Sequence, residues 1–255
     1  MTITLPGLSG AVLVYLLVFA RTGAMIMLLP PIGDANVPAR VRLILALAIT
    51  LVLAPTVTTT YPQTAPENAV ALAVLIAQEV TVGLMIGAVA RIIVSAVSVA
   101  GFLIAGQTGL SYAETLDPTS AGQQGAVVGN FLSILAVVLI FASNLHHLAI
   151  GAVAGSYHLI PPGTPLPTAD MAELAIRTVS GSFALGFQLA APFLVFGFAV
   201  NAGFGVLARL MPQLQVFFVA MPVNILVGFV VMALLIGSMM SLFLGFYASQ
   251  MAQFM

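Results

Sequence analysis

Charge is nearly absent from this chain: 255 residues carry six Arg, no Lys and seven acidic residues, so that charged side chains make up 5%. A surface facing water needs roughly 25–35% charge. Apolar residues make up 61% and the mean hydropathy is +1.19, more than one core can hide. These values exclude a monomeric soluble globule, a disordered chain and a disulfide-stapled domain. The composition is that of a polytopic membrane protein.

The six Arg are scattered at positions 21, 40, 42, 91, 177 and 209. Phosphate binding needs clustered cations, so nucleic acid is not an expected partner. There is no Cys, hence no thiolate chemistry. Met1–Gly10 lacks the basic n-region of a cleaved signal, so the first apolar run is expected to remain as a span.

Clusters rich in Pro, Gly and Thr divide the chain. Loops are expected at Pro30–Pro38, Pro55–Glu67, Gly106–Gly125 and Ser156–Asp170, with a softer break at Met211–Gln213. Capping patterns fit Thr64-x-x-Glu67, Ser120-x-x-Gln123 and, with a carboxylate as the cap, Asp170-x-x-Glu173. Six apolar blocks remain, at about 8–29, 39–54, 66–105, 121–160, 170–211 and 213–254. A span needs about 20 residues to cross roughly 30 Å of hydrocarbon. The first two blocks fit one span each. The last four would each run about 60 Å as continuous helix. Either each folds into two spans with a tight turn, or long helices broken at points such as Pro192 and Pro222 continue past the lipid. Helix extending past lipid with so little charge has to be covered by other protein. Small-residue spacings at Gly83/Gly87, Gly125/Gly129, Gly151/Gly155 and Gly237/Ser241/Gly245 suit close helix contacts.

Intramembrane charge is costly and is the natural place to look for function. Arg21, Glu79 and Arg91 lie inside apolar blocks. Glu79 and Arg91 sit about 18 Å apart along one helix and cannot pair within it. A pairing of Arg21 with Glu79 across helices, or a position near water, is weighed against a proton relay, which needs more than one acid at depth. Adjacent His146 and His147 point about 100° apart and do not form a metal-binding face. No metal, cofactor or catalytic constellation is expected. Gly101–Pro118 passes from apolar helix through Gly106, Gln107, Thr108, Gly109 and Ser111 to Tyr112 and Asp117-Pro118. Such a segment is either an extramembrane loop or irregular backbone lining a wet cavity, where Leu110, Tyr112 and Leu116 would form a hydrophobic constriction.

Several strings, in order along nearly the whole chain, resemble one family. They are Val37-Pro38-Ala39-Arg40-Val41-Arg42; Gly106-Gln107-x-Gly109-Leu110-Ser111-Tyr112 with Asp117-Pro118; His146-His147 leading to Pro161-Pro162-Gly163; and Met211-Pro212-Gln213-x-Gln215-Val216-Phe217 before Met221-Pro222. The chain resembles the export-gate subunits of bacterial type III secretion, the FliR/SctT family, and its flagellar branch in particular. The resemblance implies an all-α inner-membrane protein of long, broken helices: a FliP-like part over 1–165, then a FliQ-like helical hairpin over 170–255. Pro212 and Gln213 would form its turn, and Pro222 would shape its packing. It implies assembly with FliP and FliQ, contact with FlhB and FlhA, passage of unfolded flagellar subunits, and membrane lipid as surroundings. It also implies a pore plug in the loop that holds Gln107, Leu110, Tyr112 and Leu116. Many members carry a second aromatic where this chain has Thr115. The reading from another class is a secondary transporter with discontinuous helices at Pro192 and Pro222; within the same class it is the injectisome subunit.

Overall fold

A backbone in hydrocarbon must satisfy its own hydrogen bonds, and an uninterrupted apolar run does so as helix. The computed structural model describes residues 10–61, 69–111, 126–211 and 216–255, and all regular structure among them is helical. The helices are α1 (Gly10–Leu28), α2 (Ala39–Val57) with a 3-10 turn at Thr58–Thr60, α3 (Ala69–Gln107), α4 (Ala126–Ala142), α5 (His146–Leu159), α6 (Thr168–Leu210) and α7 (Val216–Ala252). Among the described residues five of these segments are long and apolar enough to cross a membrane, and α4 with α5 forms an apolar pair bent by 71°, either a broken span or a re-entrant loop.

The third, fifth and sixth apolar blocks are single helices of 39, 43 and 37 residues. At 1.5 Å per residue α6 alone is about 65 Å long, twice a bilayer's hydrocarbon. The alternative of two spans with a tight turn fails for these three blocks, because within each helix there is one proline at most and no polar cluster. Pro192 and Pro222 sit inside α6 and α7 without ending them. The fourth block does break, at Ser143–Leu145, where Asn144 adopts φ 59°. Asn is the side chain most tolerant of that left-handed conformation, which suits a helix terminus.

Four expected boundaries move, the first being the loop expected from Gly106, since α3 runs through Gly106 and Gln107. Pro55 lies in the last turns of α2, and Ser156 lies within α5, whose apolar neighbours carry the helix to Leu159. Asp170 sits inside the first turn of α6, which starts at Thr168 after Pro167, so it is not the cap. The capping patterns at Thr64 and Ser120 lie outside the described residues.

The chain forms two compact units. One takes residues up to 92, 141–178 and 247–255. Here α1 packs on α2, and α5 touches both. The N-terminal half of α3 docks on α1 through two glycines. A Cβ on Gly83 would overlap the carbonyl oxygen of Arg21, and one on Gly87 would lie 2.7 Å from that of Met25. Leu17, Val18, Met25, Ile26, Ala54, Ile86 and Val153 fill the core. Gly151 and Gly155, expected to meet another helix, instead receive Met255 and Phe254, residues beyond the end of α7. Without side chains at these two positions α5 offers a trough that admits backbone.

The second unit takes 93–140 and 179–246. Gly101 of α3 meets the backbone of Gly129 on α4, and Ser98 and Ser133 share a 2.8 Å hydrogen bond there. Gly181 of α6 lies against Phe246 of α7, so these helices return alongside each other as a hairpin. Ile93, Val97, Leu132, Leu189, Phe193 and Phe243 are buried at the centre.

Candidate functional site

In the first unit, the docking of α3 on α1 at Gly83 brings a guanidinium to a carboxylate. Arg21 and Glu79, each 1% exposed, are joined by two bonds: Nε donates to Oε2 at 2.7 Å and Nη2 to Oε1 at 3.2 Å. Nη1 donates to Ser156 Oγ at 2.9 Å, and Nη2 also reaches the carbonyl of Ile160 at 3.2 Å. The guanidinium carbon lies 3.9 Å from the centre of the Tyr157 ring, which is tilted against Tyr61 with 5.9 Å between ring centres. Removal of two charges from water is expensive, and is offset only where paired bonds and a cation–π face meet the remaining valences. Burial, then the neighbouring Tyr157 and Glu79, pushes the Tyr61 phenol well above its ordinary range, so it remains neutral. The cluster joins α1, α3 and α5. Among the described residues it contains a single acid, Glu79.

Arg91 does not share this environment. It is half-exposed and pairs with Asp34 at 3.3 Å. Glu173 pairs with Arg177 one turn on along α6. His146 stacks on Phe141 and is tilted against His147, with ring centres at 4.9 and 4.1 Å. Among the described residues no group of three His, Cys, Asp or Glu could hold a metal ion.

The second candidate site lies in the second unit at the C-terminal end of α3. Gly197 of α6 lies against the side chain of Gln107, and Gly228 of α7 against that of Thr108. Asn224 Nδ2 donates to the carbonyl of Gln107 at 3.2 Å. The chain then turns through Gly109 at φ 78°, a conformation that glycine adopts without strain. A cleft of about 290 Å³ opens beside it, lined by Gly106, Gln107, Asn201, Phe204, Met221 and Asn224. The hairpin thus grips the C-terminal end of α3, to which Gly106 and Gln107 belong, although both were expected in a loop beginning at Gly106. Leu110 is half-buried next to this grip. Tyr112, Thr115, Leu116, Pro212 and Gln213 lie outside the described residues, and Pro222 is an exposed residue of α7.

Ser156, Tyr157, Tyr61 and the Ile160 carbonyl escaped the sequence reading. Ser156 and Tyr157 stand at the edge of a Pro-rich stretch that reads as loop; only their arrival opposite Arg21 gives them a role.

Architecture and sites together define a multi-pass α-helical membrane protein whose polar side chains clasp and grip helices. The family model for bacterial export proteins, family 1, matches residues 12–249. The chain is 44% identical to flagellar biosynthetic protein FliR of Caulobacter vibrioides over 86% of each chain. It is 33% identical to FliR of Escherichia coli over 84% of this chain and 81% of that one. It is 28% identical to Yop proteins translocation protein T of Yersinia pestis over 68% of this chain and 67% of the relative. The chain belongs to the FliR family of bacterial export proteins.

Proposed function

We propose that the chain is a structural, pore-forming subunit of the flagellar type III protein export gate in the bacterial inner membrane, required for export of flagellar subunits and assembly of the flagellum. The observation that carries this is the 44% identity with Caulobacter FliR along most of both chains. The helix lengths support it, since helix reaching past the lipid needs a protein coat. So does the outer face of the hairpin, where Val195, Phe198, Leu226, Phe229 and Leu234 are exposed.

In this reading, residues 1–165 form the FliP-like part and 170–255 the FliQ-like hairpin. The exposed apolar faces pack on FliP and FliQ, with FlhB and FlhA adjoining. The loop that holds Gln107, Leu110, Tyr112 and Leu116 obstructs the lumen at rest. Gly109 gives the loop its turn, and the Gln107–Asn224 bond fixes its root. Export then needs the loop to move while its root stays held, so that unfolded flagellar subunits pass. The role is architectural and involves no catalysis. The 44% identity with Caulobacter FliR, against 28% with the Yersinia protein, favours the flagellar branch.

Deletion of the gene tests the proposal. The strain should keep its other membrane functions yet carry no hook or filament outside the cell, with motility restored by a plasmid copy. Normal swimming without the gene would remove the assignment.

A further inference from the structure

We infer that Arg21 is a positioning residue that caps the end of α5 and thereby sets where α6, and with it the hairpin, begins. The last carbonyls of a helix need donors from the following chain or from a side chain. After α5 comes Ile160, then Pro161 and Pro162, which have no N–H to give. The carbonyl of Ile160 is met instead by Arg21 Nη2 at 3.2 Å, and the same guanidinium holds Ser156 one turn earlier at 2.9 Å. The chain's exit from α5 is therefore fixed from α1.

An open groove of about 310 Å³ lies between the end of α5 and the first turns of α6, lined by Ser156, Ile160, Met85, Asp170, Met171 and Leu174, with Gln253 and Phe254 at its side. With open space there, the short connection from Ile160 to Thr168 determines the start of α6. Only a planar fork serves this geometry: Nε and Nη2 hold Glu79 while Nη1 and Nη2 reach α5. A lysine ammonium is a point donor; it can neutralise Glu79 but cannot also span both acceptors.

This inference rests on the export-gate reading for its consequence, but its geometry is testable without export. The chain has no native Cys, so spin labels at Met85→Cys and Met171→Cys, across the groove, report one distance in native membranes. The pair in an otherwise unaltered chain should give a narrow distribution. Arg21→Lys should accumulate as the parent does, yet broaden the distribution and shrink the motility halo. Arg21→Leu with Glu79→Leu removes both charges and should also accumulate with a broadened distance. A narrow distance in either accumulating variant would reduce Arg21 to a charge partner and overturn the proposal. Failure of the export reading shows separately, as normal swimming of the deletion strain.

Discussion

At the scale of single residues, the membrane makes small differences expensive. Gly83 is where α3 approaches α1 closely enough for Glu79 to reach Arg21. Gly83→Ala should push the helices apart and cost ~1–3 kcal/mol, the usual penalty of an added methyl group in a filled contact. A lower melting temperature of the co-expressed complex in detergent would record it; an unchanged value would mean that the contact is looser than described. Removal of Glu79 alone strands a buried guanidinium. Glu79→Leu should therefore destabilise by ~3–5 kcal/mol, seen as faster turnover in a pulse-chase experiment, and Arg21→Leu in the same chain should restore much of the lifetime.

At the scale of elements, the sequence reading placed the apolar blocks and missed the sharp break that the described residues show at Ser143–Leu145. Pro192 and Pro222, the expected breakers, are carried within continuous helices, whereas Asn144 ends one. A proline removes one hydrogen bond from a helix that neighbours can hold together, but a left-handed residue reverses the backbone's course. Asn144→Gly should be neutral. Asn144→Val should cost about 1–2 kcal/mol, because a β-branched side chain resists φ 59°. Thermal melts of the two variants, side by side, check the difference. The glycine pairs give the same lesson. Gly83 and Gly87 meet a helix, while Gly151 and Gly155 receive the two residues at the chain's end. Identical spacings acquire different partners because spacing records only the width of the groove.

At the scale of the whole molecule, exposed apolar surface and the gripped loop root predict how the protein behaves among partners. Produced alone, it should be unstable in membranes and aggregate in detergent; produced with FliP and FliQ, it should purify as one complex. A stable solitary particle would argue for a transporter instead. Shortening of the 106–116 segment should leave cells with the assembled gate permeable to small solutes, as measured by dye or ion influx. Unchanged permeability would count against the plug.

Composition alone determined that this is a membrane protein, because 5% charge leaves water no surface to wet; that it is all-α was implied by the family resemblance, and the described residues bear it out. The ordered strings along the chain determined its family. Sequence also singled out Arg21, Glu79 and Arg91 and offered the pairing of Arg21 with Glu79 across helices, which the structure shows, but it did not find Ser156 beside Arg21 or Asp34 as the partner of Arg91. Arg21 finds Glu79 58 positions away and Ser156 135 positions away, while Arg91 turns to Asp34 in a half-exposed pair. Local pattern carries the free energy of transfer from water, which each side chain has by itself. Pairing, capping and the cleft at Gln107 depend on which helices meet and on where a missing Cβ lets them, and only the tertiary structure decides that.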